Sequence, residues 1–169
     1  MKKLLLCVLA LLTLCACAVP AGPTHSQTGP THAQDQFDTM VKLVQEELED
    51  ESLAGHVTYD DAEEIAACYG FRAAALHDGY AISSVYALNA FEIGLFYAKS
   101  EANVTVIAEK LRTYLDELEK QYASAAPETA RLVRAAEILC HENLCVLVLC
   151  PPPLQQRLTE LIRTEIFQA

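Results

Sequence analysis

The residues best suited to chemistry gather near the C-terminal end, at Cys140, His141, Glu142, Cys145 and Cys150. A thiol beside an imidazole and a carboxylate has the parts of an activated nucleophile. The same residue types bind zinc. The spacing speaks against both uses. Neighbours along a strand point to opposite faces, so Cys140, His141 and Glu142 do not face one another there. Cys145 and Cys150 also fall on opposite sides of a strand, and their spacing is looser than a zinc knuckle. A different pairing suits the pattern. If Glu142-Asn143 is a two-residue turn, His141 faces Leu144 and Cys140 faces Cys145. Opposed residues have Cα atoms ~4.5–5.5 Å apart, inside disulfide reach. Cys140 and Cys145 are therefore candidate disulfide partners, with buried free thiols as the competing state. No catalytic, metal or cofactor-binding residue is assigned.

Other chemical residue types read as structural. His77-Asp78 is a polar step before a strand. Glu92 stands where a strand begins and reads as an edge residue or a cap to a neighbouring amide. The tyrosines at 59, 69, 80, 86, 97, 114 and 122 fall mostly on apolar faces. Packing explains them, although tyrosines clustered at an open groove could stack a sugar or a peptide. The chain has no G-x-S-x-G, P-loop, G-x-G-x-x-G or H-E-x-x-H pattern.

These residues must be positioned by an alternation of helices and hairpins. Phe37, Met40, Val41, Val44 and Leu48 recur at helical spacing and predict a helix over 35–51, with Asp35 as its cap. Its acidic end, Glu46 to Glu51, opposes the helix dipole and should be frayed and solvated. Thr58 and Asp61 approximate a capping box for a second helix at about 60–69, stopped by Gly70. Residues 79–88 and 91–99 read as a hairpin turning at Asn89-Ala90. Ser100 opens a long helix over 101–123, with one apolar face from Val104 to Tyr122. Pro127 starts a short helical turn. Residues 135–140 and 144–150 form the second hairpin, and Pro153 begins a last helix over 153–167. The expected fold is α+β, with a ββα-ββα pattern behind N-terminal helices. Two β-hairpins form an antiparallel sheet, and helices over one face complete a two-layer sandwich.

Composition bounds the rest. The chain has 169 residues, 52% of them hydrophobic, and a formal net charge of −11. It is too apolar for a disordered chain. With 12 Lys and Arg against 23 Asp and Glu, it lacks the basic footprint of a nucleic-acid binder. Met1-Lys2-Lys3 precedes an uncharged run from Leu4 to Ala18. A spanning helix needs ~20 apolar residues, so this shorter run reads as a secretory signal. Leu14-Cys15-Ala16-Cys17 resembles a bacterial lipobox, which makes Cys17 the lipid attachment residue. Cleavage at Ala16-Cys17-Ala18 by an ordinary signal peptidase is the competing reading. Two acyl chains anchor stably, since each buried CH₂ contributes ~0.8 kcal/mol. Gly-Pro-Thr-His then occurs twice, at 22–25 and 29–32. Its histidines, His25 and His32, belong to a duplicated linker unit. The expected organisation is a signal peptide at 1–16, a lipid-anchored flexible tether at 17–34 and one α+β domain at 35–169.

Several of these features together resemble a family of bacterial lipoproteins with domain of unknown function 4358, found chiefly in anaerobic Gram-positive bacteria. The resemblance rests on the lipobox at Cys17 and on Asn89-Ala90-Phe91-Glu92-Ile93 before an apolar strand. It continues through Ala98-Lys99, Pro127-Glu128 and Glu142-Asn143-Leu144, over about residues 60–167. Glu142 stands where the family pattern has Gly. No activity comes with the resemblance. It implies a source poor in oxidant, which favours thiols at Cys140 and Cys145. The expected function is a non-enzymatic binding or interaction module, tethered to the outer face of the cell membrane, that engages an envelope protein, peptide or ligand. The rival is an envelope enzyme or thiol-redox protein using a cysteine of the second hairpin. The anchor can be tested directly. Cys17→Ser should release the protein from the membrane fraction, whereas Cys15→Ser should not. Persistent membrane association of an uncleaved C17S chain would make the apolar run itself the anchor.

Overall fold

A computed structural model describes residues 30–49, 55–84 and 90–166. The expected signal peptide, Cys17, His25 and Asn89 lie outside the described residues, whereas His32 falls within α1. The elements run α1 (Pro30–Leu48), β1 (His56–Tyr59), α2 (Ala62–Tyr69), a 3-10 turn (Ala73–Ala75) and β2 (Leu76–Ser84). They continue with β3 (Glu92–Ala98), α3 (Glu101–Ala125), α4 (Pro127–Arg134), β4 (Glu137–His141), β5 (Leu144–Leu149) and α5 (Pro152–Leu161), which ends in a π turn (Ile162–Ile166). Among the described residues no helix is long and apolar enough to cross a membrane.

The five strands form one sheet in the order β1-β2-β3-β5-β4, antiparallel throughout. The α+β class and both expected hairpins are present. The helices, however, cover both faces of the sheet rather than one. Every residue of β3 and of β5 is buried, so neither face of the central pair can be left to water. On one face, Phe37, Met40, Val44 and Leu48 of α1 join Leu154 and Leu158 of α5 over Ile93, Leu95, Val146 and Val148. On the other, Ile65, Ala66 and Tyr69 of α2 join Ile107, Ala108 and Leu111 of α3 over Ala81, Phe96, Cys145 and Leu147. The long helix and the last helix thus share the sheet but not a face.

Several boundaries differ from expectation for local reasons. Helix α1 starts at Pro30, inside the expected tether. A proline is tolerated there because the first helical N–H groups have no intrahelical acceptor. Its acidic end is not simply solvated, because Glu47 accepts from Arg157 Nε of α5 at 3.1 Å. Strand β1 has four residues, too few to show a period in the sequence. Thr58 lies on it, and Asp61 itself caps α2, accepting from the Glu63 and Glu64 amides at 2.9 Å. Gly70 closes α2 at φ 73°, a conformation that costs glycine little. The expected turn at Asn89-Ala90 falls partly outside the described residues. Ser83 pairs with Glu92, and Ser84 donates to the Phe91 carbonyl at 2.9 Å, so the two strands are held together up to that point. A register shift between Leu76 and Asp78 returns Leu76 to the α2 side of the sheet. In the second hairpin, Glu142 takes φ 47°. That is the left-handed region where a glycine would be easier.

Gly94 lies between Glu92 and Phe96 on the α2–α3 face. A Cβ there would come within 2.5 Å of the Phe96 ring. Phe96 is fully buried, and its ring meets those of Tyr69 and Phe71 edge to face. Gly94→Ala should therefore cost about 1–3 kcal/mol by overpacking. Urea unfolding checks this, and an unchanged midpoint would mean that the Phe96 ring has room to move.

Candidate functional site

The sheet brings Glu92 to a place its sequence position does not suggest. It is neither an edge residue nor a cap. It sits on the third of five strands, between Ser83 of β2 and Leu149 of β5, and it is 8% exposed. Strand alternation turns it toward α2 and α3. There it lines a cavity of about 180 Å³ with Tyr59, Cys68, Tyr69, Ser83 and Tyr114. Strands β1, β2 and β3 and helices α2 and α3 each supply part of the wall. The Asp61 and Gly70 caps fix the two ends of α2 and thereby place Cys68 and Tyr69.

The Tyr114 hydroxyl donates a short hydrogen bond to Glu92 Oε1. Ser83 Oγ donates to the same oxygen at 3.4 Å. Oε2 is buried without a hydrogen-bond partner. Burial raises the Glu92 pKa above the ordinary carboxylate value, and the hydroxyls of Tyr114, Ser83 and Tyr69 partly oppose that shift. Tyr69 stands near enough to favour the charged form, but no hydrogen bond of good geometry joins it to Oε2. The Tyr69 and Tyr114 rings meet nearly at right angles, with centroids 5.2 Å apart. Burial, followed by the nearby Glu92 charge, raises both phenol pKa values, so both remain hydroxyl donors. Cys68 is also raised, first by burial and then by Glu92 and Glu64. It is held as a thiol, unlike an activated nucleophile. The wall can recognise a group by fixed donors, aromatic surface and one carboxyl.

The sequence-derived candidates lie elsewhere. Cys140 and Cys145 face each other as the turn at Glu142-Asn143 requires, with Cα atoms 4.1 Å apart, and the structure pairs them as a disulfide. Cys145 packs on the α2–α3 face and Cys150 on the α1–α5 face, so the three cysteines do not converge. His141 is exposed and pairs with Leu144 across the hairpin. His77 lies against the Tyr97 ring, with centroids 4.8 Å apart. Asp78 accepts from Gln34 at 3.2 Å and from the Gly79 amide at 2.8 Å, which gives it a structural role. A larger groove of about 710 Å³ runs along α5. Some of its polar groups pair with one another: Arg163 donates to Glu137 at 2.8 Å, and Gln155 donates to the Ala135 carbonyl at 2.6 Å. Sequence reasoning missed the Glu92 cavity. The available signal was a lone acid inside the apolar run Phe91 to Phe96, a place where acids are rarely buried without partners.

A family model described as "Domain of unknown function (DUF4358)" matches residues 49–150. The match spans β1 through β5 and so includes every residue of the cavity wall. No curated protein and no solved structure matches the chain.

The raised Glu92 pKa has a consequence for stability. The folded state holds this proton more tightly than the unfolded chain, so this contribution is fully present below the ordinary carboxylate value. It is lost as pH rises through the higher folded value. Glu92→Gln removes the titration and leaves an amide oxygen to accept from Tyr114. Urea unfolding at pH 4 and at pH 7 should show wild type losing more stability than E92Q over that interval. Parallel losses would place the Glu92 pKa at its ordinary value.

Proposed function

Since the chain belongs to the family of the domain of unknown function DUF4358, whose description carries no activity, we propose from its residues that it is a non-enzymatic binding module of the cell envelope, held to the outer face of the membrane by lipid on Cys17. The observation that carries the binding role is the cavity around Glu92. Its groups are fixed by five elements and suited to recognition. Among the described residues its one thiol is held protonated and no histidine lines it. Leu14-Cys15-Ala16-Cys17 supports the anchor. The acidic composition supports a partner that is not nucleic acid. A module on a lipid tether needs only to hold its ligand near the membrane, and a rigid, doubly covered sheet serves that role.

A second reading rests on a specific observation. The Cys140–Cys145 disulfide joins an exposed residue to a buried one, and Cys140 borders a hollow with His141, Glu142, Glu101 and Val104. A thiol-redox protein would use such a bond. Reduction of insulin by dithiothreitol separates the two readings. The binding-module reading expects the native protein to leave the rate at that of dithiothreitol alone, and Cys140→Ser/Cys145→Ser to change nothing. Acceleration by the native protein that disappears in the double variant would make the redox reading the correct one.

A further inference from the structure

We propose that the Glu92 cavity binds the primary ammonium group of an unbranched alkylamine. The inference rests on the reading of that cavity as a binding site and names its ligand class. The first ground is the orphaned oxygen. Glu92 Oε2 is buried in the cavity wall with no hydrogen-bond partner. A buried acceptor left unsatisfied is costly, so the site is complete only when a donor enters. The second ground is charge. The donors to Oε1 are neutral hydroxyls from Tyr114 and Ser83. Among the described residues no Lys, Arg or His lines the cavity, so none of them supplies a positive partner for the carboxylate. The third ground is the aromatic wall. Tyr59, Tyr69 and Tyr114 surround the carboxyl, and aromatic faces attract organic cations. Size sets the scale of the ligand. A cavity of about 180 Å³ has the share of roughly six waters. That admits an ammonium head and a short chain.

A metal cation fits this site less well. Among the described residues no group of three or more His, Cys, Asp and Glu is arranged to hold one. One carboxylate among neutral phenols is also a poor set for ions that need six or more oxygens. Both a free amine and the side chain of a lysine on a partner protein present this ammonium chemistry.

The test uses the full chain in detergent and its own tyrosine fluorescence, which is undisturbed because the chain has no Trp. The probes are propylammonium, Nα-acetyl-lysinamide, 1-propanol and potassium chloride. Saturable quenching or enhancement is expected with propylammonium and absent with 1-propanol and potassium. An equal response to Nα-acetyl-lysinamide would identify the lysine side chain as the source, and its absence a free amine. Glu92→Gln should weaken propylammonium by about tenfold or more, as expected when a charge-assisted hydrogen bond is lost. If circular dichroism shows E92Q unfolded, Tyr59→Leu at the edge strand replaces it and should weaken binding several-fold. Binding retained in E92Q would overturn the proposal, as would binding retained in Y59L where E92Q does not fold. Equal binding of 1-propanol would also overturn it, while leaving the cavity as a binding site. If no probe binds, both the ammonium assignment and the cavity's place in the binding module fall.

Discussion

Strands β3 and β5 pair down the middle of the sheet, and neither has an exposed residue. That double burial is the constraint on which the rest of the structure depends. An uncovered face would expose either the row Ile93, Leu95, Val146 and Val148 or the row Phe96, Cys145 and Leu147. Each buried side chain of this size contributes about 1.5–3 kcal/mol, so both rows demand cover. Helices α1 and α5 answer on one side, and α2 and α3 on the other. Arg157 of α5 then reaches Glu47 of α1 and ties the pair at its acidic end.

Glu92 is the exception inside this apolar centre. An acid among buried strands is unfavourable unless its oxygens are satisfied. Tyr114 and Ser83 satisfy one oxygen. The other borders the hollow without a hydrogen-bond partner among the described residues. Gly94 contributes indirectly. Without a side chain it lets the Phe96 ring lie back along β3, where it meets Tyr69 edge to face. Tyr69 in turn contacts Tyr114. Packing on this face and the shape of the cavity are thus set by the same rings.

The second hairpin shows how a local device and the sheet support each other. Glu142 in the left-handed region turns the chain within two residues. The turn fixes the register that opposes Cys140 to Cys145. That same register buries Cys145 beneath α3 and leaves Cys140 at the surface. The disulfide is therefore part of an edge hairpin, remote from the Glu92 wall.

The sequence by itself determined the local features of this protein. The apolar stripes of α3 and α5, the stop at Gly70, the Ser100 cap and the Glu142-Asn143 turn depend on residues within a few positions of one another. Such short-range chemistry can be read from spacing alone. The unbroken apolar run from Leu144 to Leu149 even carried a sign of two-sided burial, because a strand with one wet face would alternate. Only the tertiary structure decided which helices share a face, that His56 to Tyr59 form a fifth strand, and that Glu92 meets tyrosines from β1, α2 and α3. Those residues are far apart in the chain. Their meeting depends on strand order and on which side each helix crosses, which no period or spacing within a segment records.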